Sequence, residues 1–420
     1  MKKLLLACKM AIFLFASTGL LHGCLKDTAT RTYTLYIPVY KTVAEVRADI
    51  KSDAPVPVKS PGKIFVLGNY IFLNEIDKGV HVIDNSNPAA PVNKYFIAIP
   101  GNLDLAVKGK ILYADNYRDL VTLDISNPDH VQVKKITENV FSRRQYLNGL
   151  VGDTTRVIVD WIKKDTTVTN DETLRTWSNE QVGFFTSADA ASLSQAKSYA
   201  SGISGSMARF TLLNNYLYTV TNSNLNIFNI TTPENPVFAN TIDIGWGIET
   251  IYPFKYNLFI GSQSGMFIFN TANPAQPEML SQFSHITKCD PVIADDNFAY
   301  VTLRTGTTCS GSSINELDIL NIQNLQTPWL IKTYPLTNPH GLSKSGSTLF
   351  ICDGAAGLKV FDASDVNNLR LFQKVEGIDA YDVIAQNNNA IVVAKDGLYQ
   401  YNYTNRSNLT LQSKISYKIF

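Results

Sequence analysis

A motif that recurs about every 40 residues is the feature that most constrains the fold of this chain. Each copy alternates apolar residues up to an Asp or Asn, and the clearest copies continue into Asn-Pro. The Asp or Asn falls at Asp84, Asp124, Asn229, Asn270, Asn321, Asp362 and Asn402. A period of this length indicates one small structural unit that stacks against its neighbours, because a single unit cannot bury its own apolar surface.

Each unit contains four short apolar runs separated by turn residues. In the unit from residue 102 to 137 the runs lie at residues 103–107, 111–114, 120–125 and 131–136. The chain has 41 Tyr and Phe residues (20 and 21) but only 5 Met, which favours strands over helices. Four short strands at a period near 40 residues are typical of propeller blades. We therefore predict an all-β fold, a β-propeller of four-stranded blades.

The number of blades depends on one weak copy of the motif. Seven copies are clear, but Asp124 and Asn229 are 105 residues apart, which is too long for one unit. A degraded copy at residues 182–187 would divide this interval. With that copy the sequence predicts eight blades, and seven is the alternative.

The repeated segments resemble LVIVD-repeat proteins, a propeller-like family common among bacterial envelope lipoproteins. The resemblance rests on the pattern Gly, apolar, any residue, two apolar residues and Asp or Asn, followed by Ile-Ser-Asn-Pro in the clearest copy, and it covers about residues 61–420. It implies a propeller at the cell envelope and no particular activity.

The N-terminus has the pattern of an export signal. Three residues, Met-Lys-Lys, precede an apolar stretch from residue 4 to 21, and Leu-His-Gly-Cys at residues 21–24 resembles a lipobox. We predict a signal peptide at residues 1–23, lipidation of Cys24, a tether and lead-in strand at residues 24–60, and the propeller at residues 61–420. An uncleaved anchor, or a plain signal peptide with an incidental cysteine, is the alternative. By the sorting rule that the resemblance implies, Leu25 favours the outer membrane, with the periplasmic or cell-surface face left open.

One aligned column of polar residues lies where the first strand of each unit begins. It contains Asp104, Asn148, Glu249, Asp290, His340 and Asp382, together with Lys63 and Ser206; Lys63, Ser206 and Asp382 are aligned more loosely than the others. Side chains from several blades would converge at one mouth of the central channel, where oxygen ligands could bind a divalent cation. The alternative is that these are repeat residues that bond the backbone of the neighbouring blade.

Three cysteines beyond Cys24 have predicted roles. Cys289 and Cys309 flank a predicted hairpin, and an exported protein meets an oxidising compartment, so we predict a disulfide between them, with two isolated thiols as the alternative. Cys352 lies in an apolar strand and is expected to be buried.

Charge and motifs narrow the function classes. The chain has 37 basic and 36 acidic residues, a net charge of +1, so nothing drives it toward nucleic acid. The sequence contains no CxxC, HExxH, GxSxG or phosphate-loop motif. We expect a monomeric, membrane-tethered, non-catalytic module that binds a protein or a glycan. The insertion from about residue 164 to 180 is either its binding surface or a solvated loop. A cation-dependent ligand-binding or hydrolytic propeller is the alternative.

Overall fold

A computed structural model describes residues 31–144, 146, 155–168, 183–185, 203–284, 291–304 and 315–418. Over these residues the chain is almost entirely β-structure, with one α-helix, α1 (Val43–Ala48), and one turn of 3-10 helix at Pro128–His130. No helix in these ranges is long and apolar enough to cross a membrane. The predicted signal peptide and Cys24 lie outside the described residues.

Seven four-stranded antiparallel sheets form the blades, each built from four consecutive strands. Blades 1 and 2 contain β3 (Pro61–Leu67), β4 (Tyr70–Glu75), β5 (Gly79–Asp84), β6 (Val92–Ala98), β7 (Leu105–Lys108), β8 (Ile111–Asn116), β9 (Asp119–Asp124) and β10 (Gln132–Thr137). Blades 3 and 4 contain β14 (Phe210–Leu213), β15 (Tyr216–Val220), β16 (Asn224–Asn229), β17 (Val237–Asp243), β18 (Ile248–Phe254), β19 (Asn257–Ser262), β20 (Gly265–Asn270) and β21 (Glu278–Ser284). Blades 5, 6 and 7 contain β22 (Val292–Ala294), β23 (Phe298–Leu303), β24 (Glu316–Asn321), β25 (Trp329–Pro335), β26 (Leu342–Ser345), β27 (Thr348–Cys352), β28 (Leu358–Asp362), β29 (Arg370–Val375), β30 (Ala380–Gln386), β31 (Asn389–Ala394), β32 (Gly397–Asn402) and β33 (Thr410–Ser416).

The repeated Asp or Asn ends the third strand of every blade. Its side-chain Oδ1 accepts a hydrogen bond from the backbone N–H two residues later, as from Ser86 to Asp84 (2.9 Å) and from Thr231 to Asn229 (2.8 Å). The same bond forms at the other five copies. This turn stops the strand and starts the connection to the fourth strand. The sequence motif is therefore a turn signal.

The first strands of adjacent blades contact one another, so the first strand is the innermost in every blade. The ring closes between blades 7 and 1. Ile64 and Ile71 of blade 1 share a buried apolar cluster with Ile384 and Val393 of blade 7. Across the same junction, Gln400 Nε2 donates to Asn85 Oδ1 at 2.6 Å.

The structure confirms the β-propeller and the alternative count of seven blades, and the count of eight is wrong. Residues 183–185, within the presumed degraded copy, form β12 (Gly183–Phe185), which pairs antiparallel with β1 (Arg31–Thr42). With β11 (Arg156–Val168) these strands make a separate three-stranded sheet in the order β11-β1-β12. The local apolar pattern was that of a strand, but its partner is the lead-in segment rather than a blade.

The described residues divide into two compact units. One contains residues 31–38, 161–168 and 183–185, and the other contains the propeller and the remaining residues. In the first unit Thr34 Oγ1 donates to Asp165 Oδ1 at 2.7 Å, and the Lys163 ammonium lies 5.5 Å from the centre of the Tyr36 ring. Residues 164–168 of the insertion are therefore part of a strand.

Blade 1 differs from the other six because extra strands cover both of its edges. The two-residue strand β13 (Ile203–Ser204) pairs with β3 on the inner edge, and β2 (Lys51–Asp53) pairs with β6 on the outer edge. Blade 1 is thus the centre of a six-stranded sheet.

Candidate functional site

The axis of the propeller is occupied at the end where the innermost strands begin. The occupying stretch is residues 203–209, which we call the axial segment. It starts as β13 beside β3, with Ile203 opposite Val66 and Ser204 opposite Phe65, and it leads directly into blade 3.

Backbone and side-chain contacts carry the axial segment past widely separated blades. Leu342 N–H of blade 6 donates to Ser206 Oγ at 2.8 Å, and Ile251 N–H of blade 4 donates to Ala208 O at 2.5 Å. Lys63 Nζ of blade 1 donates to Met207 O at 3.4 Å. A short stretch can reach blades 1, 4 and 6 together only near the axis of the ring.

A buried ion pair lies beside the axial segment. Lys63 Nζ and Asp104 Oδ2 are 3.3 Å apart, and the two side chains are 1% and 2% exposed. Asp104 Oδ2 also accepts a hydrogen bond from Arg209 N–H at 3.0 Å. Burial raises the pKa of Asp104 to about 7 and lowers the pKa of Lys63 well below its usual value, because both charged forms lose hydration.

A second buried carboxylate, Asp382, meets the axial segment from blade 7. A Cβ placed on Gly205 would lie 2.0 Å from Asp382 Oδ2, and one on Gly341 would lie 2.1 Å from Oδ1. The carboxylate therefore sits against two backbones that have no side chain. Oδ1 accepts from Val383 N–H at 2.9 Å, whereas Oδ2 has no hydrogen-bond donor among the described residues. Burial raises the pKa of Asp382 to about 7, partly opposed by the charge of Lys63.

The other predicted members of the column are placed separately. The His340 ring is buried and packs edge-on against Tyr381, with 5.2 Å between ring centres. Glu249 is partly exposed, and its Oε1 accepts from Gln263 Nε2 at 3.0 Å. Asn148 and Asp290 lie outside the described residues.

The structure thus brings together Asp104 and the two loosely aligned residues Lys63 and Asp382 around one segment. Within the described ranges, no three His, Cys, Asp or Glu side chains are grouped as they would be around a metal ion. A lysine ammonium lies next to the carboxylate of Asp104, where the sequence suggested a metal cation. The divalent-cation site stays a prediction, since two of its six proposed residues are not described.

Sequence reasoning missed the axial segment itself. Ser206 was aligned with the starts of innermost strands, whereas it belongs to the chain that lies inside them. No local signal could have found it, because Gly205, Gly341 and Asp382 are far apart in the sequence and only the structure shows the close approach of the two glycine backbones to this carboxylate.

The cysteine predictions are mostly outside the described residues. Cys24, Cys289 and Cys309 are not described, so lipidation and the disulfide stay predictions. Cys352 is fully buried, as predicted, and burial raises the pKa of its thiol well above the usual value.

The outer edge of the ring carries a repeated exposed apolar residue, in contrast to the buried charged residues at the inner end. In blades 2 to 7 the second residue of the outermost strand is apolar and between 41% and 56% exposed. We call these six residues the outer apolar positions: Val133, Phe238, Met279, Leu330, Leu371 and Leu411. Each lies beside a register shift in the pairing of the third and fourth strands.

Blade 1 has a polar residue at the corresponding place. Asn93 is the second residue of β6, and its Nδ2 donates to the backbone oxygen of Val56 at 2.9 Å. The lead-in segment that contributes β2 therefore also covers this position. The apolar residue is absent in the blade whose outer edge is already paired.

Comparison with known proteins places the repeat and the fold. The LVIVD repeat model matches residues 61–96 and 102–137, which correspond to blades 1 and 2. No curated protein matches the chain. Among solved structures, a protein from Lactobacillus plantarum is 10% identical with a TM-score of 0.53, over 88% of this chain and 97% of that one. The computationally designed protein Ika8 is 8% identical with a TM-score of 0.52, over 87% and 92%. At these identities the likeness concerns the fold alone, so the chain is a seven-bladed β-propeller with LVIVD repeats in its first two blades.

Proposed function

We propose that the protein is a non-catalytic interaction module, tethered to the outer membrane through lipid on Cys24, that binds a protein partner along its outer edge. The observation that carries the proposal is the set of six outer apolar positions. The propeller fold with its repeats is of a kind that suggests an interaction module.

The outer apolar positions favour a binding surface because they recur in register. A single exposed apolar residue is ordinary on a protein surface. Here the same place in six consecutive blades is apolar and about half exposed, and blade 5 adds Trp329 beside Leu330. Fully burying an exposed side chain of this kind contributes about 1.5–3 kcal/mol, so covering the exposed half of one contributes roughly 1 kcal/mol. Two or three blades could therefore supply a useful part of the free energy of binding.

The inner end of the ring supports the same proposal because its carboxylates are enclosed by protein. Asp104 and Asp382, two carboxylates whose pKa values are raised by burial, are buried against Lys63 and the axial segment. Groups enclosed in this way serve packing and closure before they serve a ligand. The surfaces open to a partner are then the two faces and the outer edge.

The membrane tether is the part of the proposal that rests on sequence. A lipid chain contributes about 0.8 kcal/mol per buried methylene, so the acyl chains on one cysteine can hold a domain at a membrane. We expect Cys24→Ala to abolish labelling by a palmitate analogue and to release the protein from the membrane fraction. Cys8→Ala is the matched control and should keep both properties. Unchanged labelling of Cys24→Ala would contradict the tether.

Site-specific photocrosslinking tests the binding surface. A photoreactive amino acid placed at Met279 or Leu411 in native cells should yield a discrete crosslinked partner. The control position is Lys395, whose side chain is 65% exposed but which lies in the turn between β31 and β32 and not in an outermost strand. The proposal predicts crosslinks at the two outer positions only. Absence of crosslinks there, or equal crosslinking at Lys395, would argue against it.

The insertion is tested separately, because it begins within β11 and is followed by β12. Residues 164–168 belong to β11 and residues 183–185 form β12, so a deletion should spare both strands. Replacing residues 169–181 by a short Gly-Ser linker and comparing partner recovery isolates the role of the intervening stretch. Equal recovery would remove the insertion from the binding surface.

A cation-dependent site at the channel mouth is the alternative function. The uncommitted Oδ2 of Asp382 is the observation that favours it. Calorimetric titration with Ca²⁺, Mg²⁺ and Zn²⁺ separates the two functions: the interaction module predicts no heat and no change in melting temperature. Saturable binding lost in Asp382→Asn would favour the alternative.

A further inference from the structure

A cleft of about 370 Å³ lies between α1 and the tight turn that joins β8 to β9 in blade 2. Its volume falls within the range of about 300–1,000 Å³ that is usual for small-molecule sites. It is separate from the axial segment and from the outer apolar positions.

The polar wall of the cleft is held by one arginine. Arg47 of α1 bonds Asp119 through Nε (2.8 Å) and Nη2 (2.6 Å), and its Nη1 lies 2.7 Å from Glu138 Oε1. The helix is fixed at its start by a capping box, in which Thr42 and Glu45 bond each other's backbone N–H. The positions of Asp119 and Glu138 are therefore set by a rigid element.

The aromatic part of the lining, Tyr117, is also fixed. Its backbone has φ of 57°, which is uncommon for a bulky residue. The Arg144 guanidinium lies 4.8 Å from the centre of the Tyr117 ring. A Cβ on Gly101 would come within 2.4 Å of the same ring, so the backbone there approaches closely.

One buried polar atom in the lining has no partner. Asn116 is 1% exposed, and its Nδ2 donates to Pro100 O at 2.6 Å. Its Oδ1 has no hydrogen-bond donor among the described residues. A buried acceptor left unsatisfied costs about 1–3 kcal/mol. A small rotation of Asn116 toward the cleft would let a ligand hydroxyl donate to Oδ1 and recover part of this cost.

The lining is neutral overall and combines charged, polar and apolar side chains. Arg47 and Arg118 balance Asp119 and Glu138 in charge. The apolar side chains belong to α1 and to the first part of β11: Val43, Ala44, Val46 and Val157. A neutral ligand that offers both hydroxyl groups and apolar C–H groups would match this lining.

We propose that this cleft binds a neutral saccharide, one or two sugar residues in size. Sugar hydroxyls would donate to Asn116 Oδ1 and to the carboxylates of Asp119 and Glu138, and would accept from Arg47. The C–H groups of the ring would contact Val43 and Ala44. The site is independent of the outer apolar positions, so it can stand or fall separately from the proposed protein partner.

The test uses two exposed alanines on the same short helix. Ala44 lines the cleft and Ala48 does not, and both are exposed, so neither substitution disturbs the core. Ala44→Trp should fill the cleft, whereas Ala48→Trp should leave it open. The chain from residue 25 onward is titrated with a panel of neutral hexoses, N-acetylhexosamines and their disaccharides, followed by ligand-observed NMR and calorimetry.

The expected result is saturable binding of at least one panel member, unchanged in Ala48→Trp and at least tenfold weaker in Ala44→Trp. Glu138→Ala, at an exposed rim residue, should also weaken binding without lowering the melting temperature. The matched control for this variant is Glu234→Ala in an exposed loop of blade 3. Lack of binding by every panel member, or affinity that is insensitive to both cleft variants, would overturn the proposal. Loss of the photocrosslinks at Met279 and Leu411 would not affect this result.

Discussion

The inner end of the propeller buries charged side chains, and its outer edge exposes apolar ones. Each is the reverse of the usual pattern, in which apolar residues are buried and charged residues are exposed. Around the axial segment, Lys63, Asp104 and Asp382 are almost fully buried. At the outer edge, apolar residues such as Met279 and Leu411 are about half exposed. The inner charged side chains are already surrounded by protein, whereas the outer apolar side chains are covered only in part. This contrast suggests that the inner end maintains the fold and the outer edge is kept for a partner.

Blade 1 shows what happens when an outer edge is already covered. There β2 pairs with β6, and Asn93 takes the place of the apolar residue. The same chain thus offers both situations, a covered edge with a polar residue and six edges with apolar ones. The predictions below test whether inner and outer positions really differ in this way.

The largest effect is expected from removing the buried cation at the inner end. Lys63→Met leaves Asp104 buried without its ammonium partner, which should cost about 3–5 kcal/mol of the free energy of unfolding. Chemical denaturation at neutral pH measures this loss.

Two further variants sharpen that result. Lys63→Met combined with Asp104→Leu should recover most of the loss, since replacing both partners of a buried pair by apolar residues is often neutral. Lys94→Met, which breaks an exposed ion pair with Asp84, should change little. If Lys63→Met is as harmless as Lys94→Met, the inner charges do not support the fold.

The next effect concerns pH. Because burial raises the pKa of Asp382 from 3.8 to about 7, the folded protein holds this proton more tightly than the unfolded chain does. The contribution of Asp382 to stability is therefore greatest below pH 4 and declines as the pH rises to about 7, by at most about 4 kcal/mol.

Asp382→Asn removes this titration. Asp104 and Lys63 titrate in both proteins, so the difference in unfolding free energy between wild type and variant reports Asp382 together with its electrostatic coupling to Lys63. Relative to the variant, the wild type should lose stability steadily between pH 4 and pH 8. Parallel stability curves over that range would show that Asp382 is not buried as described.

A smaller loss is expected from crowding the axial segment. Gly205→Ala would place a methyl group about 2 Å from the Asp382 carboxylate, and overpacking of this kind typically costs about 1–3 kcal/mol. Adding Asp382→Ala should restore much of the stability by making room. Additive losses in the double variant would mean that the two residues do not meet.

The smallest effect is expected at the outer edge. Met279→Ser should change the free energy of unfolding by no more than about 0.5 kcal/mol, because the side chain is half exposed. Met266→Ser in the same blade, where the methionine is fully buried, should cost roughly 2–5 kcal/mol. Met279→Ser should lose binding of the partner while the protein stays folded. Similar destabilisation by both substitutions would erase the distinction between core and outer edge.

Much of this fold could be predicted from the sequence because the repeat is local. The Asp or Asn turn at residues such as Asp84 and Asn229 and the apolar strands before it are determined within a few residues. The blade count was harder, since residues 183–185 look like strand three of a blade but pair with β1, about 150 residues earlier. Strand propensity reports that a strand forms and not which strand it joins.

The inner site was only partly predictable for the same reason. Aligning the repeats placed Asp104, and more loosely Asp382, near the start of an innermost strand, where the structure has them. It could not find the axial segment, because Ser206 and Met207 carry no repeated signal and act through bonds to Leu342 and Lys63 far along the chain. With these bonds, Asp104 and Asp382 are interpreted as parts of a closed core rather than as ligands of a cation.

Hydrogen–deuterium exchange of the axial segment tests the central claim most directly. Arg209 N–H bonds the buried Asp104, and residues 203–204 pair with β3. A peptide covering residues 203–210 should therefore exchange as slowly as peptides from β3 and β26. Exchange within seconds, at the rate of an unstructured peptide, would mean that the axial segment does not pack against the innermost strands and would contradict the closed inner end on which the contrast with the outer edge rests.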